Sequence, residues 1–314
     1  MKSQLRVAAA QFQHTDGDKR ANLDAIRRLT RAAAERGAQA VCFHECCVTG
    51  YTFLRRLDRN GMKALAEPVP DGPSTQALIA IAREHNIHVL ATLVELEGDK
   101  LYKACVCVNG GGLVARFRKL HPFINPHLLP GSEVAFFKIH DWTCSILICY
   151  DNNLPENPRM AALGGAEILF MPHVTMGLPG PEPGLGFFDP KLWENRERDP
   201  ASLRRVFDGP SGREWLLKWL PCRAYENGFY AVFTNPVGRD DDQIRSGGSM
   251  IVDPHGRIAA ECRSFGEELA VAVCHPELVE NNLGRKFLQA RRPGLYGPLV
   301  VKGDAPPVTR VGWM

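Results

Sequence analysis

The sequence predicts a mixed α/β fold, in which some strands are joined by helices and others by tight turns. Short apolar runs alternate with segments whose apolar residues recur every three or four positions, the patterns of strands and of amphipathic helices. Turn sequences such as residues 97–100 (Glu-Gly-Asp-Lys) separate other runs directly, which indicates antiparallel hairpins. Hydrophobic residues make up 45% of the chain and charged residues 23%, a globular composition that excludes a disordered protein.

The first part of the chain predicts a strand, a helix and a second strand. Residues 5–13 alternate apolar with small or polar side chains, which is typical of a strand. Residues 22–36 carry apolar side chains at helical spacing and end before Gly37, a common helix terminator. Residues 39–44 form a short apolar run. This order predicts a βαβ unit with parallel strands and a right-handed crossover.

The rest of the chain continues in mixed order. Helices are predicted over residues 73–86, 157–163 and 214–227. Strands are predicted over residues 87–94, 101–109, 113–117, 134–139, 143–149, 167–171, 229–235, 249–253, 257–261 and 269–274. Because hairpins interrupt the alternation of helix and strand, we expect a pair of mixed sheets with helices outside, not a doubly wound parallel sheet.

A segment rich in proline and glycine, residues 176–213, interrupts this pattern. Six prolines and six glycines lie within its 38 residues. It is not a disordered linker, because large apolar side chains can anchor it. These anchors are Phe187, Phe188, Trp193, Leu203 and Phe207. Since long loops in compact domains are usually functional, we predict one domain over residues 1–296 with this excursion, followed by a C-terminal tail, residues 297–314.

Charge and hydropathy exclude several classes of partner. The chain has 38 Lys+Arg against 35 Asp+Glu, a net charge of +3, which is too balanced for a protein that binds nucleic-acid backbones. No stretch approaches the roughly 18 apolar residues of a membrane span, so no membrane partner is expected. The start of the chain lacks the pattern of a secretory signal, which predicts a cytoplasmic location. Its ten cysteines include no C-x-x-C pair, so we expect buried thiols and no metal site.

Three residues with chemically capable side chains follow predicted strands. Glu45, Lys119 and Cys149 each come at or just after the end of an apolar run. Rigid strands hold such side chains accurately while the next loop leaves them accessible. Taken one at a time, each also has an ordinary interpretation: a solvated carboxylate, a surface lysine and a core thiol. Spacing alone does not show that they converge.

These residues lie in elements that resemble the nitrilase superfamily of carbon–nitrogen hydrolases. Residues 45–51 (Glu-Cys-Cys-Val-Thr-Gly-Tyr) resemble its Glu-x3-Thr-Gly-Tyr element. Residues 117–121 (Phe-Arg-Lys-Leu-His) resemble its lysine element, and residues 149–156 resemble its Cys-Tyr-Asp-x3-Pro-Glu element. The similarity extends from about residue 5 to residue 296. Three separated elements in the family's order are far more specific than any one of them.

The resemblance implies a four-layer α-β-β-α sandwich and a thiol mechanism. Glu45 would be the general base, Cys149 the nucleophile, and Lys119 the cation that stabilises the tetrahedral intermediate. A thiol near its reference pKa of about 8.5 is mostly protonated at neutral pH and needs such a base and cation in order to attack. No cofactor and no metal would be required. Residues 291–296 resemble a segment that commonly packs on a neighbouring subunit, which implies a homodimer or larger homo-oligomer.

The sequence departs from the family in two places. Many members carry a second glutamate seven or eight residues after the lysine, where this chain has Pro126 and His127. Glu133 or His127 could substitute for it. Many amidase-like members also have an arginine where Asn153 stands, so an anionic substrate is less favoured.

The tyrosine and aspartate after Cys149 resemble the amidase and carbamoylase branches. We therefore expect a thiol-dependent hydrolase of non-peptide carbon–nitrogen bonds, which releases ammonia from a small linear amide or N-carbamoyl substrate. Tyr51, Tyr150, Asn153 and His173 are the predicted substrate-binding residues. The alternatives are a nitrilase, a Cys/His enzyme using His121 or His173, and a non-catalytic binding protein on the same scaffold.

Overall fold

Two six-stranded sheets face each other in the computed structural model, which describes residues 2–300. The strands in chain order are β1 Leu5–Gln11, β2 Ala40–Cys42, β3 His88–Glu97, β4 Lys100–Asn109, β5 Gly112–Arg118, β6 Phe136–Ile139, β7 Trp142–Ile146, β8 Ile168–Pro172, β9 Tyr230–Thr234, β10 Val237–Asp240, β11 Gln243–Ser246, β12 Met250–Val252, β13 Ile258–Glu261 and β14 Glu268–Cys274. The helices are α1 Lys19–Glu35, α2 Arg59–Leu65, α3 Pro73–His85, α4 Glu156–Leu163, α5 Pro190–Glu194, α6 Pro200–Asp208, α7 Arg213–Asn227, α8 Pro276–Glu280 and α9 Leu283–Gln289.

Both sheets are mixed, as the interrupted alternation predicts. The first has the order β14-β1-β2-β3-β4-β5, with β1, β2 and β3 parallel and the remaining pairs antiparallel. The second has the order β13-β12-β9-β8-β7-β6, with β7, β8 and β9 parallel. The strands β10 and β11 form a separate hairpin. Each sheet therefore contains a parallel centre, where functional side chains can gather at one edge.

Side chains from the facing sides of the two sheets fill the core. Alternate residues of β4, such as Cys105 and Cys107, are fully buried in the same apolar cluster as Cys144 of β7. Nine of the ten cysteines are buried, and Cys222 is exposed. Alternation with period two places these small side chains where the sheets approach.

Helices cover the outer faces and complete the predicted four-layer α-β-β-α sandwich. Ile26, Leu29 and Ala33 of α1 pack with α3 on the outer side of the first sheet. The carboxylate of Asp18 caps α1 by accepting a hydrogen bond from the N–H of Ala21. Leu216 and other buried residues of α7 join the core cluster of the second sheet. No helix within residues 2–300 is long and apolar enough to span a bilayer.

The excursion of residues 176–213 contains two short helices that the periodicity did not predict. An Asp-Pro pair begins each of them: the aspartate side chain caps the first turn, and proline takes the position where its missing N–H costs nothing. Four of the five predicted anchors are buried in the main core. The fifth, Phe187, is 56% exposed, so its prediction as an anchor is wrong.

The C-terminal end of the described region consists of short helical segments. After α9, two 3₁₀ segments, Pro293–Leu295 and Gly297–Val300, carry the chain to residue 300. Most of the predicted tail, residues 301–314, lies outside the described residues. The predicted division at residue 296 stays a prediction.

Candidate active site

Glu45 lies on the turn that follows β2 and is completely buried. Its backbone N–H donates to the carbonyl of His173 at 3.2 Å, which joins the ends of the two sheets. The next residue, Cys46, has a φ of 53°, so the chain turns sharply after the glutamate. The side chain therefore points into the space between the sheets from a fixed backbone.

Two lysine ammonium groups contact the same oxygen of Glu45. Lys119, directly after β5, and Lys103, within β4, each donate from Nζ to Oε1 at 2.7 Å. All three side chains are completely buried. Burial alone disfavours a carboxylate, but the two ammonium groups outweigh it and hold the pKa of Glu45 at about 2. The other oxygen, Oε2, has no hydrogen-bond partner among the described residues.

Cys149 lies beyond the end of its strand, on a strained turn. The sequence predicts a strand through residue 149, but β7 ends at Ile146 and Cys149 begins a 3₁₀ segment, Cys149–Asn152. Its φ of 51° is uncommon for a residue with a side chain, and local strain of this kind occurs at functional sites. The strand prediction is wrong at this end, because the apolar run continues through Ile148 whereas the hydrogen-bonded strand ends at Ile146.

The thiol of Cys149 is in electrostatic reach of the charged cluster. Burial, and then Glu45, raise its pKa, whereas Lys119 and Lys103 lower it, leaving it at about 12. Within the described residues its sulfur makes one hydrogen-bond contact, to the carbonyl of Val174 at 3.6 Å. A protonated thiol of this kind needs a base beside it before it can attack.

Asp151 joins the cysteine turn to the segment after Lys119. Its carboxylate accepts from the backbone N–H groups of Ile148 (3.2 Å), Leu120 (3.3 Å) and His121 (2.9 Å). A single buried carboxylate thus fixes two loops that come from different sheets. Asp151 belongs to the cysteine element predicted from the sequence, but this role was not predicted.

The four predicted substrate-binding residues differ in their burial and in their contacts. Tyr51 is buried, and its ring lies 4.4 Å from the ammonium of Lys103. Tyr150 is half-buried and contacts Phe123 edge to face, while Phe123 lies 4.8 Å from the ammonium of Lys119. Asn153 is half-buried, and its carbonyl accepts a hydrogen bond from Arg223.

His173 is held inside the protein as a neutral imidazole. Its ring packs against Trp219 and Phe233, and burial lowers its pKa to about 3. Its Nε2 lies 3.0 Å from the side-chain amide nitrogen of Asn152. Among residues 2–300, neither His173 nor His121 hydrogen-bonds to Cys149, so the arrangement does not support the Cys/His alternative.

The structure does not bring the expected second carboxylate to Lys119. Glu133 is exposed, and the side chains of Glu133 and His127 make no hydrogen bond within the described region. Lys103 is instead the additional charged residue of the cluster, and it was not among the residues predicted from the sequence. Its signal was a lysine at an inward position of an apolar strand, in phase with Cys105 and Cys107.

A second polar cluster lies near β10, and its side chains are of the types that bind metal ions. One ligand atom each of His14, Asp16 and Asp240 lies within 4.8 Å of the others. However, Asp240 is already paired with Arg245 at 2.8 Å and accepts from Thr52 at 2.6 Å. The buried carboxylate of Asp240 is thus held in an ion-pair network, which fits a structural role better than a metal site.

Comparison with known proteins places this chain in a family. A sequence model described as carbon–nitrogen hydrolase matches residues 6–281, so the chain belongs to the carbon–nitrogen hydrolase family. Similar proteins include a nitrilase of Pyrococcus abyssi, 26% identical and covering 88% of this chain and 92% of that protein. An (R)-stereoselective amidase of a Pseudomonas species is 28% identical, covering 82% and 80% respectively. An N-carbamoylputrescine amidase of Solanum lycopersicum is 26% identical, covering 97% of both.

Solved structures agree on the fold. A variant of the amidase from Nesterenkonia sp. AN1, determined after acrylamide had added to its active-site cysteine, superposes with a TM-score of 0.69. The match is 23% identical and covers 94% of this chain and 100% of that one. Family and fold together define an amidohydrolase that acts on carbon–nitrogen bonds other than peptide bonds, as the sequence analysis predicted.

Proposed function

We propose that this protein hydrolyses a small linear amide or N-carbamoyl compound and releases ammonia through a thioacyl-enzyme on Cys149. The observation that carries the proposal is the buried 2.7 Å contact between Glu45 and Lys119, whose charges both act on Cys149. The three residues come from separate chain segments, and we infer that they act together as base, cation and nucleophile. The amidases among the similar proteins support an amide substrate.

In the first half-reaction, Sγ of Cys149 attacks the carbonyl carbon while its proton passes to Oε2 of Glu45, the oxygen without a partner. The carbonyl oxygen becomes an oxyanion, which the Lys119 ammonium and the backbone N–H of Tyr150 stabilise. The carbon–nitrogen bond then breaks, and Glu45 returns the proton to the leaving nitrogen. From a primary amide, ammonia departs and a thioester remains.

In the second half-reaction, water attacks the thioester carbon while Glu45 accepts one of its protons. The carbon–sulfur bond breaks, the sulfur recovers a proton from Glu45, and the carboxylic acid leaves. With an N-carbamoyl substrate, the amine departs first and the hydrolysed product is carbamic acid, which decomposes to ammonia and carbon dioxide. Either route returns the site to its starting state.

Ammonia release from purified protein tests the proposal on three matched panels: neutral primary amides, N-carbamoyl compounds and nitriles. We expect turnover of the first or second panel and an acyl adduct on Cys149 by intact-mass spectrometry. Turnover of nitriles alone would favour the nitrilase alternative, which the Pyrococcus abyssi relative supports. Absence of both turnover and adduct on every panel would favour a binding protein.

We also propose a homodimer or larger homo-oligomer. Apolar side chains on the packed helices α7 and α9 remain exposed: Tyr225 by 39%, Leu283 by 47% and Phe287 by 43%. Neighbouring exposed apolar groups of this kind mark contact surfaces. Light scattering of the full chain should give a mass of at least two chains, and a monomer mass would contradict this assignment.

A further inference from the structure

Lys103 is a buried lysine whose environment is only partly satisfied by the protein. It is completely buried on β4, on the face that also carries Cys105 and Cys107. An ammonium has three donors, but among residues 2–300 its one hydrogen bond is to Oε1 of Glu45. The rings of Tyr51 and Phe123 lie 4.4 and 5.9 Å from Nζ. Lysine is almost never fully buried unless its charge is compensated.

The charges of the cluster do not balance. Two ammonium groups, Lys103 and Lys119, share the single carboxylate of Glu45, and none of the three is exposed. With Cys149 as a thiol, this group carries one excess positive charge. Uncompensated charge is costly inside a protein, so the cluster favours the gain of a negative charge close by.

Lys103 and Lys119 act on two buried thiols that can supply that charge, Cys46 and Cys149, and Cys149 is the one that the proposed mechanism deprotonates. Several elements contribute ionisable groups that interact with Cys149 or with Lys119. These groups are Glu45 after β2, Tyr51, Lys103 on β4, Lys119 itself, which follows β5, and Asp151 on the cysteine turn. The two lysines favour the thiolate, and Glu45 opposes it. The carboxylate of Asp151 accepts hydrogen bonds from three backbone N–H groups and contacts the ring of His121.

We propose that Lys103 is a second cation of the catalytic site, which holds Glu45 in place and supports negative charge on the sulfur of Cys149. The second glutamate expected from the family pattern is absent from this cluster among residues 2–300, and Lys103 contacts Glu45 there. This inference rests on the proposed thiol mechanism. Lys103 acts through Glu45 and Cys149 and is therefore a positioning residue, one that also sets the charge of the site.

Alkylation of Cys149 by neutral iodoacetamide tests this without knowledge of the substrate. The full chain carries C222S, so that the exposed Cys222 does not react. Rates are measured from pH 7 to pH 10 for this background and for K103M and K103Q. K100M, on the exposed end of the same strand, is the matched control. K103Q keeps a hydrogen-bond donor but removes the charge. Comparison of K103Q with K103M therefore separates the effect of the charge from that of the hydrogen bond.

We expect K103M and K103Q to alkylate about tenfold more slowly at pH 8, with the whole pH profile moved to higher pH, because a nearby cation commonly lowers a thiol pKa by one unit or more. K100M should match the background. E45Q should move the profile to lower pH, since it removes the opposing charge. Folded K103M and K103Q with unchanged rates and profiles would overturn the proposal.

Two further comparisons keep the outcome decisive. If both Lys103 variants fail to fold, the double variant E45Q/K103M, whose cluster has the same net charge as that of the unaltered protein, is compared with E45Q. Slower alkylation of the double variant supports the proposal, and equal rates overturn it. If the unaltered protein neither turns over any amide nor alkylates at Cys149, the proposed function itself has failed, whereas normal activity with unchanged Lys103 variants rejects this inference alone.

Discussion

The carboxylate of Asp151 accepts a hydrogen bond from the backbone N–H of His121 at 2.9 Å and also contacts the ring Nδ1 of that histidine at 3.0 Å. His121 follows the proposed oxyanion cation Lys119 by two residues, and Asp151 follows the proposed nucleophile Cys149 by two. The relative position of cation and thiol thus depends on one pair of residues. The fold uses a buried carboxylate here as a clamp between two loops.

Replacing this carboxylate should loosen the site without touching the reacting groups. In D151N the amide nitrogen cannot accept the N–H groups that one carboxylate oxygen now accepts, so unpaired donors remain buried. We expect the free energy of unfolding to fall by about 1–3 kcal/mol and kcat to fall more than KM changes. Urea melts and amide hydrolysis measure both. D141N, on an exposed turn, is the control. A wild-type free energy of unfolding and wild-type kcat for D151N would contradict the proposal that Asp151 holds the two loops together.

Loss of the thiol should abolish turnover. C149A removes the nucleophile while leaving a small side chain on the same turn, so the melting temperature should change little. C222A, at the exposed cysteine, should retain full activity. Ammonia release and intact mass after incubation with substrate measure the two variants. Residual turnover by C149A at a wild-type rate would remove the nucleophile assignment.

Loss of the Glu45 charge should lower stability as well as activity. E45Q leaves two buried ammonium groups without their counter-charge, which typically costs about 3–5 kcal/mol. Because the pKa of Glu45 is lowered from 4.5 to about 2 by the fold, its contribution is fully present above pH 4.5 and is lost as the pH falls toward 2. The difference in unfolding free energy between wild type and E45Q should therefore shrink over this range. A difference that stays constant would contradict the ion-pair interpretation.

The residues once expected to replace the second glutamate should be dispensable. Glu133 is exposed and His127 contributes only a backbone N–H bond to Asn125, so neither side chain supports Lys119. We expect E133Q and H127Q to hydrolyse the amide at wild-type kcat and KM. A loss of 100-fold in either variant would mean that its loop closes over the site during turnover.

The excursion between β8 and α7 should be a stabilising part of the domain. Phe207 is 2% exposed and packs against Phe188 and Trp193, whereas Phe187 is 56% exposed. Truncation of a buried phenylalanine costs about 3–5 kcal/mol, so F207A should melt well below F187A. Chemical denaturation compares the pair directly. Equal stabilities would show that the excursion detaches without cost to the core.

The local sequence pattern was sufficient to predict the bounds of the elements with strong periodicity. The helix α1 and the strand β4 lie within a few residues of the predicted bounds, because α1 keeps one apolar face against the core and β4 is an apolar run buried on both faces. The hairpin of β10 and β11 was missed for the opposite reason. Its buried positions include Asp240 and Arg245, which form an ion pair at 2.8 Å. A local sequence pattern does not predict the burial of such charged residues.

The composition of the site was predictable only in part. The resemblance identified Glu45, Lys119 and Cys149 as candidates, since each lies in a short element with a fixed pattern. Lys103 has no such element, and its contact with Glu45 joins residues 58 positions apart. A single sequence gives the face of a strand but not its register against a distant loop, so this second cation appeared only in three dimensions.

Strand β1 pairs on one side with β2 and on the other with β14, so residues 268–274 cover an edge formed by residues 5–11. During translation this edge therefore stays open until nearly the whole domain has left the ribosome. An open edge is a template for pairing with other chains. The nascent protein is most exposed to aggregation in that interval, and a product truncated before residue 268 would retain the hazard permanently.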